Sequence, residues 1–153
     1  NKSYVPYVVE TSIGLDRMFL AIMSSAFTEE ILEDGSERTV LKIPAALAPY
    51  QVAVLPLLKK EESGLPAKAR EILAELKIDF NCQYDEKDAI GKRYRRQDAI
   101  GTPYCVTVDH QTLEDNTVTI RDRDDLSQIR VSIDEVKGKL KETTSMESLL
   151  RKL

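Results

Sequence analysis

Apolar and polar residues alternate from Tyr4 to Ser12 with the two-residue period of a strand. On that pattern Val8, Glu10, Ser12 and Gly14 share one face, and Tyr7, Val9, Thr11 and Ile13 share the other. The period then changes. Leu15, Met18, Phe19, Ile22, Met23 and Ala26 recur at helical spacing, with Leu20 and Ala21 apolar on the remaining side. A helix apolar nearly all round needs burial, and no neighbouring segment is obviously large enough to supply it. The stretch "TEEILEDGSERTVLKIP" that follows is charged, carries an Asp34–Gly35 turn signal and reads as a linker.

From about Ala48 the pattern becomes regular. "YQVAVLPL" reads as a buried strand ended by Pro56. "LPAKAREILAELKI" reads as an amphipathic helix with Pro66 in its first turn and Ala69, Ile72, Leu73 and Leu76 as its core stripe. "DFNCQYD" predicts a second strand, "DAIGKRYRRQDAIG" a short helix with Ile90 and Tyr94 on one face, and "PYCVTVD" a third strand. "HQTLEDN" reads as a hairpin-like connection into the strand "TVTIRDR". A short strand, "QIRVS", a helix, "IDEVKGKLKE", and one or two helical turns in "SMESLLRKL" complete the unit. Helical crossovers between the first three strands imply parallel pairing, and the hairpin adds antiparallel strands. The expected fold is α/β: a mixed five-stranded sheet, mainly parallel with an antiparallel edge, flanked by three helices.

Composition narrows the class. The 153 residues are 42% hydrophobic and 31% charged, enough apolar content for one domain, or one domain plus a piece of another. No apolar run approaches the roughly 20 residues of a membrane span, and no cleaved signal is evident. Cys82 and Cys105 have neither metal spacing nor the density of a disulfide scaffold, which points to reduced thiols in a cytoplasm. His110 is the only histidine, so no metal site or His-based triad is expected. The chain opens on Asn1 rather than Met, which is taken as the sign of a piece cut from something longer.

Three stretches carry candidate chemistry. Glu10, Ser12 and Gly14 line up on one strand face, where a carboxylate can pair with an ammonium group and a glycine admits close approach. Arg17, in the first helical turn, can stack on a base or fork onto phosphate. An N-cap at Ser12 and a surface pair between Glu10 and Arg17 account for the same residues equally well. In "KDAIGKRYRR" the five cations Lys87, Lys92, Arg93, Arg95 and Arg96 stand against one Asp88, in a chain of net charge −4. Such reversal of sign suits a phosphate backbone, and a solvated helix face explains it too. In "TVTIRDRDD" alternation sends Val118 and Ile120 inward and Thr119, Arg121 and Arg123 outward, where arginines can read unstacked bases. Cross-strand ion pairs with Asp122, Asp124 and Asp125 are the alternative.

The motifs also carry a resemblance. "VVETSIGLDR" resembles motif 3 of the class II aminoacyl-tRNA synthetases, and the chain from "KIPAALAPYQVAVLPL" onward is similar to the anticodon-binding domain shared by the glycyl, threonyl, prolyl and histidyl enzymes. "ETSIGLDR", "APYQVAVLPL", "GKRYRRQDAIGTPYCVTVD" and "TVTIRDRDDLSQIRV" together most resemble the dimeric-type glycyl enzymes. The resemblance divides the chain into the end of a catalytic domain at 1–28, a linker at 29–47 and an anticodon-binding domain at 48–153.

It also implies roles. Glu10, Thr11, Ser12, Ile13 and Gly14 would form the glycine-binding strand, with Glu10 on the amino group. Gly14, Leu15, Asp16 and Arg17 would form the ATP-binding turn, with Arg17 as the catalytic cation. Lys92, Arg93, Arg95, Arg96, Arg121, Asp122 and Arg123 would contact tRNA. The implied parent is a homodimeric ligase using ATP and Mg²⁺; the chain by itself is expected to hold no cofactor and no activity. Its expected partners are the tRNA(Gly) anticodon stem-loop and the rest of its own catalytic domain, with no membrane and no DNA. Glycine codons call for two anticodon cytosines, and a carboxylate beside an arginine is the pairing expected to read them, with Asp122 or Asp124 next to Arg121 and Arg123 as candidates. A threonyl or prolyl enzyme, and a non-catalytic accessory subunit reusing the fold, are the rival readings.

Overall fold

In the computed structural model, which describes residues 2–151, the first regular element is the helix α1 (Leu15–Ala26). A hairpin of β1 (Phe27–Ile31) and β2 (Glu37–Leu41) follows, then β3 (Val52–Pro56), α2 (Leu65–Leu76), β4 (Cys82–Tyr84), α3 (Ile90–Ile100) and β5 (Tyr104–Val108). A short helix α4 (His110–Asp115), strands β6 (Thr117–Asp122) and β7 (Gln128–Ser132), and helices α5 (Ile133–Thr144) and α6 (Met146–Leu150) complete the order. Lys152 and Leu153, which belong to the last expected helical turn, lie outside the described residues.

The five-stranded sheet has the order β4-β3-β5-β6-β7. β3 pairs in parallel with both β4 and β5, and the crossovers such pairing needs are α2 and α3. β5–β6 and β6–β7 are antiparallel. The expected fold is therefore the observed one, with the parallel and antiparallel pairings balanced. β3 is buried at all five positions because both faces of the sheet are covered there. On one face Val52, Val54, Val106, Val118 and Ile120 meet Leu65, Ala69 and Ile72 of α2 and Val136 and Leu140 of α5. On the other, Ala53, Leu55 and Cys105 meet Ile90 and Tyr94 of α3. "HQTLEDN" forms α4 instead of a plain turn. Its start is a reciprocal cap in which the Thr112 N–H donates to Asp109 Oδ1 and the Asp109 N–H donates to Thr112 Oγ1.

The segment read as a linker is structured. Phe27 to Leu41 pairs with itself from Phe27↔Leu41 to Ile31↔Glu37, around the Asp34–Gly35 turn foreseen for it. The hairpin lies against α3 through β2, and Leu41 and Ile43 bury Ala26 at the end of α1. Gly101 makes this docking possible. It ends α3 at φ 86°, and a Cβ there would stand 2.9 Å from Ile43 Cγ2.

The strand expected over Tyr4–Ser12 does not form. Residues 2–14 carry no regular structure and are exposed throughout. A strand's N–H and C=O groups require a neighbour, and no strand among the described residues lies beside this one. Most of α1 is exposed as well, with Phe19 and Leu20 each about two-thirds accessible, at 64% and 68%. Its N-cap is Gly14, not Ser12.

These packing differences set an expectation for stability. Ile72→Ala should lower the unfolding free energy by about 2–5 kcal/mol in urea titrations, because the cavity opens between α2 and the sheet. Leu20→Ala, on the exposed side of α1, should stay within about 0.5 kcal/mol.

Candidate nucleic-acid interface

Three of the arginines expected to face RNA are inside the protein. Arg121 lies on the α3 face of β6, in register with Cys105, under the cover of α3. Its guanidinium donates to both carboxylate oxygens of Asp98, at 2.8 and 2.9 Å, and its central carbon stands 4.7 Å from the ring centre of Tyr94. Arg123 donates to the carbonyls of Leu41, Ile43 and Gly101 and pairs with Asp124. Arg93 donates to the carbonyls of Pro56 and Asp88. The outward placement of Arg121 and Arg123 is thus corrected: both faces of the sheet are covered at this point, so alternation distinguishes two interiors instead of inside from outside.

A fourth arginine joins them from the hairpin. Arg38 is fully buried, with a guanidinium nitrogen 3.6 Å from Asp98, another 2.9 Å from Glu30, and a bond to the Arg123 carbonyl. Asp98, also fully buried, is the carboxylate shared by Arg121 and Arg38. Sequence reasoning missed this cluster. Asp98 inside "RRQDAIG" looks like a helix-face charge until the helix is seen to be covered on both sides.

The basic run is largely neutralised. Arg96 forks onto Asp85 and pairs with Asp88, and Arg95 donates to Ser36 Oγ of the hairpin. Lys92 remains exposed, as does Lys87. Asp122 is half-buried and accepts the N–H of Asp124; burial raises its carboxyl above the usual range. It stands next to Arg121 in sequence but on the opposite face of β6, so the two form no joint base-reading pair.

An open groove lies beside these buried charges. α3 covers β3, β5 and β6 at Arg121, and beyond Arg121 lies a cavity of about 310 Å³ lined by Leu57, Ile90, Tyr94, Thr107, Asp109, Thr119 and Gln128. It sits at the carboxyl ends of β3 and β5, the end of an open α/β sheet at which ligands usually bind. The Tyr94 hydroxyl and Thr107 Oγ1 are 2.6 Å apart and hold one wall. The lining residue Asp109 is held by Arg130 of β7, which donates to both of its oxygens, at 2.7 and 3.0 Å, and to Thr117 Oγ1 at 2.6 Å. The Arg130 guanidinium holds the Asp109 carboxyl down at about 2, so it is an anion at any physiological pH. Burial pushes the Cys105 thiol beneath the groove up to about 12 and keeps it neutral. Apolar walls with a fixed carboxylate and free amide and hydroxyl groups suit a flat, hydrogen-bonding ring, such as an unstacked base.

Glu10, Thr11, Ser12, Ile13 and Gly14, and Leu15, Asp16 and Arg17 after them, are all exposed. The structure does not gather them into a pocket, and Glu10 and Arg17 form no ion pair with each other among the described residues.

The site is an open groove at one end of a mixed α/β sheet, and sequence comparison supplies its class. Residues 51–143 match the anticodon binding domain family, and the chain belongs to it. It is 54% identical over 136 residues to a glycine–tRNA ligase of Clostridium tetani (strain Massachusetts / E88), covering 89% of this chain and 28% of that protein. It is likewise 54% identical over 142 residues to one of Clostridium acetobutylicum, covering 93% of this chain and 30% of the relative. The chain therefore spans under a third of the length of these two relatives. Among solved structures, the RNA binding domain of threonyl-tRNA synthetase from Cryptosporidium parvum Iowa II shares the fold, with a TM-score of 0.60 and 24% identity over 67% of this chain and 25% of that one.

Two outcomes follow from the charges. Asp98→Asn should cost about 3–5 kcal/mol in denaturant unfolding, since it leaves Arg121 buried without its counter-charge and Arg38 with Glu30 alone. The depressed Asp109 carboxyl contributes stability that is complete above its unfolded value near 3.8 and is lost as pH falls toward 2. Arg130→Gln should therefore be less stable than the parent chain at neutral pH, with the gap closing between about pH 4 and pH 2. Thermal melts across that range measure it.

Proposed function

We propose that the chain is the C-terminal, tRNA-binding part of a glycine–tRNA ligase, and that its groove over β5, β6 and β7 receives the unstacked anticodon bases of tRNA(Gly). The observation that carries this reading is the groove itself, an uncovered stretch of sheet with apolar walls and hydrogen-bonding groups at its floor, in a member of the anticodon binding domain family. The names of the relatives favour glycine over threonine or proline.

The parent enzyme would be a cytoplasmic homodimer that activates glycine with ATP and transfers it to tRNA. Glu10 to Gly14 would then bind glycine and Gly14 to Arg17 would bind ATP, with Arg17 stabilising charge on the phosphates as pyrophosphate leaves. Their exposure here agrees with a pocket whose other walls belong to a larger catalytic domain, and so does the uncovered apolar side of α1. Among the described residues no three acidic, histidine or cysteine side chains come together to hold a metal ion. By itself the chain should bind tRNA and form no glycyl-adenylate. Among the described residues no helix is long and apolar enough to cross a membrane.

Lys92 and Lys87 are the exposed cations of the basic run, so phosphate contacts should be few. Binding to a tRNA(Gly) transcript should fall with salt on a log–log slope of about −1 to −2. It should also weaken when the two anticodon cytosines are replaced. Equal binding to both transcripts would instead favour a general RNA-binding or accessory role.

A further inference from the structure

We propose that Asp109 is the base-reading carboxylate of the groove, accepting the exocyclic amine of an unstacked cytosine, and that Arg130 is the residue that positions it. The inference rests on the anticodon reading above and goes further by assigning the group that selects the base.

The argument is one of hydrogen-bond capacity. Asp109 Oδ1 is saturated, taking the Thr112 N–H at 3.1 Å, the Thr112 hydroxyl at 3.1 Å and Arg130 at 3.0 Å. Oδ2 takes only Arg130, at 2.7 Å, so one of its lone pairs remains available on a side chain that lines the groove. Arg130 cannot read a base itself, because Asp109 and Thr117 occupy its strongest donor directions. What it does is fix the rotamer of Asp109 and keep it ionised, so the groove always presents an acceptor at that point. An exocyclic amine satisfies that acceptor, whereas the carbonyl at the same place on uracil repels it.

Gln128 supplies the other half of the recognition. It lines the groove from β7, in register with Arg121, and its side chain makes no hydrogen bond among the described residues. Its amide can donate to the ring nitrogen beside a cytosine amine or to the carbonyl beyond it. Leu57 and Ile90 offer apolar surface to the ring faces. Of the pairs expected from the sequence, Asp124 does bind Arg123, but that guanidinium is committed to the carbonyls of Leu41, Ile43 and Gly101, so the reading role falls to Asp109.

The test uses the whole chain and anticodon stem-loops of tRNA(Gly) carrying cytosine, uridine or N4,N4-dimethylcytosine at the two anticodon positions in turn. At one of them the unaltered protein should bind the cytosine loop about 10- to 100-fold more tightly than the other two. Asp109→Asn keeps a capping oxygen for Thr112 and replaces the free acceptor with a donor, so it should bind all three loops within about twofold of one another, with its salt slope unchanged. Gln128→Ala, which makes no internal contact to lose, should give up part of the same preference. If Asp109 serves only as a helix cap, the substitution will weaken all three loops equally and leave the cytosine preference standing, which overturns the proposal. Should Asp109→Asn fail to fold, equal binding of the cytosine and dimethylcytosine loops by the unaltered protein overturns it as well. A protein blind to all three bases would instead remove the anticodon reading, and this assignment with it.

Discussion

Everything on the α3 side of the sheet depends on one buried carboxylate. Asp98 has no exposure, yet it holds Arg121 from the sheet and lies within 3.6 Å of Arg38 from the hairpin. Isolated, any of these charges would cost several kcal/mol to bury; together they are tolerable only in this geometry. The arrangement therefore acts as a constraint on position more than as a source of stability. α3 cannot shift along the sheet without unpairing Arg121, and the hairpin cannot leave α3 without exposing or orphaning Arg38. Arg123 extends the lock by taking the carbonyls at the end of β2, after it and at the cap of α3. The hairpin is thus joined to the domain by charge-assisted bonds to backbone, where apolar packing alone would have left it free to slide.

That constraint has an electrostatic consequence. A chain of net charge −4 that binds a polyanion would be expected to present its arginines. This one spends Arg38, Arg93, Arg121 and Arg123 on internal structure and balances Arg96 with two aspartates. Of the basic run, Lys87 and Lys92 are left exposed. On the proposed reading, selection comes from the groove, where groups are fixed and a hydrogen bond discriminates better than on an open surface.

How much of this could be read from the sequence varies with the physics of each element. The sheet from β3 to β7 and the helices α2, α3 and α5 were legible, because their apolar periods match the faces they bury. The hairpin was not: "FTEEI" and "ERTVL" are short and charged, and their strand character comes from pairing with each other and docking on α3. Residues 4–12 show the opposite failure, since their alternation is real but alternation does not supply a partner strand. Arg121 was placed outward because alternation cannot tell a solvated face from one covered by a second helix. The Asp109–Arg130 pair was within reach. Asp109 and Thr112 have capping-box spacing, and the register Thr119↔Arg130 follows once β6 and β7 are paired. Treating "HQTLEDN" as a plain turn hid the first of those signals.

The clamp and the groove are not independent, and Tyr94 is where they meet. Its ring is held against the Arg121 guanidinium and its hydroxyl bonds Thr107, while the same side chain forms a wall of the groove. Arg121 in turn stays where it is because Asp98 holds both of its terminal nitrogens. The distance from that wall to Asp109 is therefore fixed by a salt bridge that no ligand touches. If the groove receives a base as proposed, a displacement of Tyr94 alters the shape of the cavity that base would occupy. This gives the buried charges a purpose that stability alone does not: apolar side chains could fill the same volume, but they would not hold an aromatic wall at a set distance from the carboxylate opposite.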